Sequence, residues 1–264
     1  MLEILVNEPH LIALKNINEV SDYFEVNAST LTRLAKKLGF SGFDAFRKAF
    51  QQDLIPAENF YSQHIHELLE DNNSDYRSIV GQIVSESCAN AMKMFELIDN
   101  DKLQQAAQAI VKAKAVYAFG LRQSYGVATG FVYTLGMLRD GVNVLGDNGL
   151  GPAHALAQIG SEDLLVLIGS TPHTKNTVTM AELAATRNID VLAVTDAYQS
   201  PLATRAQYSF IIPSSGSFFS NQMGAFHIFM EGLVSAVARH MGDDALRSIE
   251  TSEELISSFQ LGGI

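Results

Sequence analysis

Two clusters of side chains in this sequence have the composition of binding surfaces. In the first, Ser29, Thr30, Arg33, Lys36, Lys37 and Ser41 supply hydroxyls and cations, the groups that read base edges and grip phosphates. Between Leu31 and Phe50 the charges are Arg33, Lys36, Lys37, Arg47 and Lys48 against Asp44 alone, a balance of +4 on a chain of net charge −11. A basic patch on an otherwise acidic protein can approach nucleic acid while the remainder stays clear of the polyanion. Ser29, Thr30 and Arg33 are expected at base edges and Lys36, Lys37 and Ser41 at phosphates, which makes double-stranded DNA the expected partner. A solvated face in a small helical bundle would have the same composition.

The second cluster is split between Gly120-Leu121-Arg122-Gln123-Ser124-Tyr125-Gly126 and Gly169-Ser170-Thr171-Pro172-His173-Thr174-Lys175. Each stretch follows a short apolar run and brings hydroxyls and a cation to a point where a helix is expected to begin. Free N–H groups at such a helix start attract anions. The first stretch lacks the Gly-x-Gly-x-x-Gly dinucleotide fingerprint. Ser124 and Thr174 each also suit plain helix caps. Taken together, on neighbouring parallel strands, they point to an anion pocket formed by Gly120, Arg122, Ser124, Thr171, His173, Thr174 and Lys175.

The elements that position the first cluster read as a helix-turn-helix. Ile17 to Phe24 is a short helix with Ile17, Val20 and Phe24 apolar, and Glu25-Val26-Asn27 is a tight turn. Asn27 is expected to cap the second helix through its side-chain oxygen. That helix carries Leu31, Leu34, Ala35 and Leu38 inward at helical spacing, and Gly39 stops it. Around the second cluster the pattern alternates. After a helical stretch from Ser78 to Lys112 come the apolar runs Ala115–Phe119, Val142–Leu145, Leu164–Ile168, Val191–Val194 and Ser209–Ile212. Such runs suit strands buried on both faces, as in parallel sheets, and segments such as Thr177–Asn188 are long enough for crossover helices. The fold expected is α/β: a small all-α helix-turn-helix domain followed by a three-layer α/β sandwich on a five-stranded parallel sheet. Ligands of such sheets bind beyond the carboxyl ends of the strands.

The domain boundary is expected in residues 51–75, around Pro56 and the polar run Asp71-Asn72-Asn73-Ser74-Asp75, with Phe60 to Glu70 a linking helix. This gives residues 1–50, a linker 51–75 and a ligand domain 76–264. His64 and His66 point to different faces of that helix, so no metal site is expected there. The single cysteine, Cys88, excludes an intramolecular disulfide and a cysteine-based zinc cluster, and it reads as a buried helix residue. No apolar stretch reaches the length of about 20 residues that spans a bilayer, and no signal peptide is visible, so a cytoplasmic protein without membrane contact is expected.

The run Thr30-Leu31-Thr32-Arg33-Leu34-Ala35-Lys36-Lys37-Leu38-Gly39-Phe40-Ser41-Gly42-Phe43 resembles the N-terminal domain of RpiR-type transcriptional regulators, which ends in Lys-Leu-Gly-Phe-x-Gly-Phe. Two departures are Glu25 in a turn slot usually held by Gly, and Leu2 to Val6 as the end of what is usually a longer first helix. Residues from about 76 to 240 are similar to a sugar isomerase (SIS) domain, the phosphosugar-binding module of those regulators. The resemblance implies phosphate contacts at Ser124 and at a Ser-x-Ser-Gly-x-Thr loop. Thr171 and Thr174 match that loop; Gly169 and Pro172 do not, and Pro172 removes an N–H that Gly could donate. It also places Phe218-Phe219-Ser220-Asn221 at the side of the pocket. Gly-Leu-Arg-x-Ser with Pro in the second loop resembles a divergent branch.

The expected function is regulation of carbohydrate metabolism in response to a small anionic, carbohydrate-like effector, a sugar phosphate or sugar acid. The alternative is a sugar-phosphate isomerase. Isomerisation needs a positioned acid–base pair. His154 and His173 lie at expected strand ends and Asn176 stands where related enzymes tend to have an acid, so no catalytic pair, metal or cofactor is expected. One helix-turn-helix spans too few base pairs for regulation, so a homodimer or homotetramer is expected, with Phe226 to Val237 as a candidate interface.

Overall fold

The computed structural model describes residues 15–24, 26–47, 59–70, 75–146, 149 and 151–259. Glu25, Leu2 to Val6, Pro56 and residues 71–74 lie outside the described residues. The chain divides into two compact units, Met1–Gln63 and His64–Ile264.

In the first unit, α1 spans Ile17–Tyr23. Asn16 Oδ1 accepts from the N–H groups of Asn18 and Glu19 at 3.0 and 3.1 Å, and Glu19 Oε2 accepts from Asn16 N at 2.8 Å. This reciprocal box satisfies N–H groups that a helix start leaves free. The second helix, α2, spans Ala28–Lys37. Asn27 does precede it, but makes no side-chain capping bond, contrary to the sequence expectation. Its backbone carbonyl accepts Thr30 N at 2.8 Å instead.

Helix α2 ends in a Schellman motif. Gly39 takes φ +92°, Gly39 N donates to Lys36 O and Phe40 N donates to Ala35 O. That reversal turns Leu38 outward, 44% exposed, so Leu38 is not an inward residue. Phe40 enters the core in its place, with Val20, Leu31, Ala35, Phe43 and Phe46. The Phe40 and Phe46 rings meet edge-on at 5.3 Å. The apolar letters of the Gly-Phe-x-Gly-Phe run are therefore core packing, which leaves the polar face of α2 free.

Helix α3, Phe60–Glu70, runs across the boundary between the units. The helical stretch expected from Ser78 to Lys112 is two helices, α4 Tyr76–Leu97 and α5 Asn100–Lys112. The break falls at Ile98-Asp99, where Asp99 accepts from Asp101 N and Lys102 N at 2.9 and 3.0 Å. An Asp at this position competes for backbone donors and starts a new helix.

The sheet comprises β1 Val116–Gly120, β2 Val142–Val144, β3 Leu164–Ile168, β4 Asp190–Thr195 and β5 Tyr208–Ile211. Its order is β2-β1-β3-β4-β5 and every pairing is parallel. The crossovers include α6 Gln123–Gly136, α7 Gly151–Ala157 and α8 Lys175–Thr186. Two further helices, α9 Gly224–Met241 and α10 Asp243–Ser258, complete the unit.

Side chains alternate across a strand, and two cores follow. Val116, Ala118, Leu164, Val166, Ile168, Leu192 and Val194 pack with side chains of α5, α6 and α9. Phe119, Leu165, Leu167, Val191 and Ala193 pack with those of α7 and α8. The three-layer α/β sandwich with a five-stranded parallel sheet is therefore observed. Phe226, Phe229, Met230, Leu233, Val234 and Val237 lie in the first of these cores, while Ile228 of the same helix is exposed. Cys88 is exposed, on the side of α4 opposite the buried Asn90 and Met94. No helix among the described residues is long and apolar enough to cross a membrane.

Candidate functional site

On α2, Ser29, Arg33, Lys36 and Lys37 fall at positions i, i+4, i+7 and i+8 and are exposed, while Thr30 is half-buried beside them. They share the helix face away from Leu31 and Ala35. Arg33 Nε donates to Ser29 O at 3.3 Å, which lays the guanidinium stem along the helix. Ser41 is exposed just past the Schellman turn. One exposed face thus holds all the expected DNA-contacting side chains near it.

The other candidates occupy two turns at the carboxyl ends of the adjacent strands β1 and β3. At the first, Gly120 is required by close approach: a Cβ there would lie 2.4 Å from the backbone oxygen of Ser124. Arg122 holds φ +56°, a region that L side chains enter at a cost. Ser124 is the second residue of α6 and 6% exposed. Its hydroxyl takes no hydrogen bond among the described residues. The turn presents a hydroxyl at a helix start, where backbone N–H groups and the dipole favour negative charge.

The second turn is closed on itself. Thr171–Pro172 is a cis peptide, and Thr171 N donates to Asp196 Oδ2 at 2.8 Å. Thr174 caps α8, accepting from Thr177 N at 3.3 Å, and its hydroxyl meets that of Thr177 at 2.7 Å. His173 Nε2 lies 3.1 Å from Ser200 Oγ and 3.8 Å from Asp196 Oδ1. Ser200 Oγ also receives Thr195 Oγ1 at 2.9 Å and Leu202 N at 3.2 Å. His173 Nδ1 is buried without a partner. Burial lowers the His173 pKa from its ordinary value against the opposing pull of Asp196. Lys175 is exposed at the first position of α8.

A loop from Ser214 to Met223 spans both turns. Ser220 Oγ donates to Gln123 Oε1 at 2.9 Å, and Asn221 Nδ2 donates to Thr171 O at 2.7 Å. Helix α4 holds the loop from the other side. Glu86 Oε2 accepts from Ser217 N, Ser217 Oγ and Gln222 Nε2 at 2.8, 3.0 and 2.7 Å. Burial pushes the Glu86 carboxyl up, but these bonds and one from Gln82 outweigh it and hold its pKa below the ordinary value. Asn90 Nδ2 donates to Ser215 O at 2.8 Å. A cleft of about 730 Å³ opens here, lined by Ile83, Gln123, Ser217, Phe218, Asn221 and Gln222 among others.

The structure thus brings Gly120, Arg122 and Ser124 to one turn, Thr171, His173, Thr174 and Lys175 to the next, and links the two through Ser220 and Asn221. Sequence reasoning missed Asp196, Ser200, Gln123, Glu86 and Gln222. For Asp196 there was a signal: Thr195-Asp196 is the first polar pair after the apolar run of β4, at the end of the sheet where ligands bind. Among the described residues, no group of His, Cys, Asp and Glu is arranged to hold a metal ion.

Comparison with known proteins fits both units. Residues 1–57 match the rpiR-family helix-turn-helix domain and residues 109–233 match the SIS domain. The HTH-type transcriptional regulator HexR of Pseudomonas aeruginosa is 26% identical over 212 residues, covering 80% of this chain and 72% of its own. The HTH-type transcriptional regulator RpiR of Escherichia coli is 22% identical over 220 residues, covering 81% and 70%. Two solved structures share the fold. The sugar isomerase domain of an RpiR transcription factor from Sphaerobacter thermophilus has a TM-score of 0.62 at 22% identity, over 66% of this chain and 97% of that one. The Vibrio vulnificus NanR protein, complexed with ManNAc-6P, has a TM-score of 0.64 at 17% identity, over 99% of this chain and 92% of its own. With both modules present in this order, the chain belongs to the RpiR-type helix-turn-helix regulators that carry a SIS domain.

Proposed function

We propose that this protein is a DNA-binding transcriptional regulator of carbohydrate metabolism whose SIS domain senses a small anionic metabolite, a sugar phosphate or sugar acid. The observation that carries it is the exposed basic face of α2 on a chain that is otherwise strongly acidic. Ser29, Thr30 and Arg33 read base edges, and Lys36, Lys37 and Ser41 hold phosphates. The effector sits across the two strand-exit turns, against Gly120, Arg122, Ser124, Thr171, His173, Thr174 and Lys175; the ManNAc-6P bound by NanR supports a phosphosugar class. Residues 1–50 form the reading head, 51–75 the linker and 76–264 the sensor. The protein acts in the cytoplasm, as a homodimer or homotetramer on a two-fold operator.

Catalysis is not part of this reading. His173 has one nitrogen on Ser200 and the other buried, so neither is set to move a ligand proton.

Fluorescence anisotropy with a duplex from the protein's own upstream region tests the DNA half. Arg33→Ala should weaken binding by about 1–3 kcal/mol and relax sequence preference. Lys37→Ala should weaken all sequences alike and flatten the salt dependence. Absence of binding by the unaltered protein in low salt would remove the assignment.

A further inference from the structure

We propose that α4 is the dimerisation helix: the face that carries Tyr76, Val80, Val84 and Phe95 packs antiparallel against the same face of a second copy of this chain, across a two-fold axis. This rests on the homo-oligomeric reading above and names the surface that makes the pair.

The first observation is how much apolar surface α4 leaves open. Tyr76 is 84% exposed, Val80 62%, Val84 55% and Phe95 70%, with Met92 at 63% on the flank. Together on the order of 600 Å² of apolar side chain is open on one helix, against about 800 Å² that each partner brings to a standard interface. A patch of that size is at the upper end of what a monomer exposes. The inner side of the same helix is already employed: Asn90 and Met94 are buried, and Glu86, Ser87 and Asn90 hold the pocket loop.

The second observation is the order in which the side chains come. With half-buried Ser87 and Ala91 included, the face runs through positions 76, 80, 84, 87, 91 and 95. Steps of four and three keep to one side of a helix. These steps, 4, 4, 3, 4 and 4, also read the same from either end. An isologous contact needs that symmetry, because residue i must meet j where j meets i. With the axis between Val84 and Ser87, Tyr76 falls on Phe95 of the second copy, Val80 on its Ala91 and Val84 on its Ser87. Aromatic rings then meet at the two ends, and a β-branched side chain meets a small one at each step between, which lets the helix axes approach to about 8–10 Å. None of the six residues is charged, so pairing desolvates no ion and sets no like charges together. Cys88 stands at the rim of this face. A two-fold axis is also what a two-fold operator requires of the protein that reads it.

Sedimentation of the full chain at micromolar concentration tests the pairing. The unaltered protein should sediment as a dimer or a larger even assembly. Val84→Glu sets two carboxylates beside the axis with no counter-charge and should halve the sedimenting mass, a loss of about a hundredfold or more in affinity, with far-UV circular dichroism unchanged. An equimolar mixture of Val84→Glu and Val84→Lys chains should restore the pair, which misfolded chains would not do. A spin label on Cys88 of the unaltered protein should give an inter-label distance on the order of 20 Å. A Val84→Glu protein that sediments as the unaltered one does overturns this surface and leaves the homo-oligomer standing. Should that variant fail to fold, a Cys88 inter-label distance beyond about 40 Å overturns the surface in its place. An unaltered protein that sediments as a monomer removes the homo-oligomeric reading and this surface with it.

Discussion

The turns after β1 and β3 leave adjacent parallel strands at the same end of one sheet, and both are rich in hydroxyls, yet they are built for different purposes. The β1 turn carries conformational cost, with Gly120 pressed against the Ser124 backbone and Arg122 at positive φ, and leaves the Ser124 hydroxyl open. At the β3 turn the Thr171 amide and the Thr174 hydroxyl are paired within the protein, while His173 Nδ1 is buried without a partner. Strain beside an unpaired polar group is the arrangement expected of a binding position; a donor already paired within the chain is that of a structural one. The comparison teaches that a Ser/Thr-rich turn is a ligand site only to the extent that its donors remain unspent.

Three substitutions can break or sharpen this contrast. The largest effect is expected from Gly120→Ala. Its Cβ would meet backbone at 2.4 Å, so the strand exit must shift, at a cost of roughly 3 kcal/mol or more; urea unfolding that shows less than about 1 kcal/mol would mean the turn is not tight. Arg122→Gly should go the other way in stability, gaining up to about 1 kcal/mol as the positive φ is relieved, while weakening phosphate. A loss of stability would show that the side chain does more for the turn than its backbone costs.

The smallest effect concerns His173. Its folded pKa lies below the ordinary value near 6.5, so the unfolded chain binds the proton first as pH falls. The stability this histidine contributes is present above about pH 6.5 and is lost on acidification toward its folded pKa. His173→Gln should flatten that part of the profile of unfolding free energy against pH, and an unchanged slope would show that His173 is not the group responsible.

Much of the fold was legible because periodicity reports burial. The run Leu164–Ile168 is a strand with those limits, and Phe60–Glu70 is a helix with those limits; the other four strands differ from expectation by a residue at one or both ends. Gly39 marked a true helix stop because only its conformation makes the Schellman bonds easy. What escaped was set by partners distant in sequence. Cys88 lies among small and apolar neighbours, but tertiary packing placed the opposite face of α4 inward. The apolar run Phe226 to Val237 does not by itself say which of its residues cover the sheet, and packing put six of them in the core and left Ile228 outside. The candidate site was half legible: the turns could be found from Gly, Ser and Thr after apolar runs. That Asp196, 25 residues beyond Thr171, closes one of them could not be read from the turn itself.

The exposed position of Cys88 has a practical side. It is the single cysteine of the chain, on the outer surface of the helix whose inner surface grips the pocket loop through Glu86 and Asn90. One fluorophore or spin label can therefore be attached at a known address without altering the gene. A label there would report any reorientation of α4 when metabolite enters, in the same molecule whose DNA affinity is being measured. Oxidation through this thiol would join chains in pairs and go no further, because each chain has one sulfhydryl to give; handling in reductant removes that covalent artefact from measurements of natural assembly.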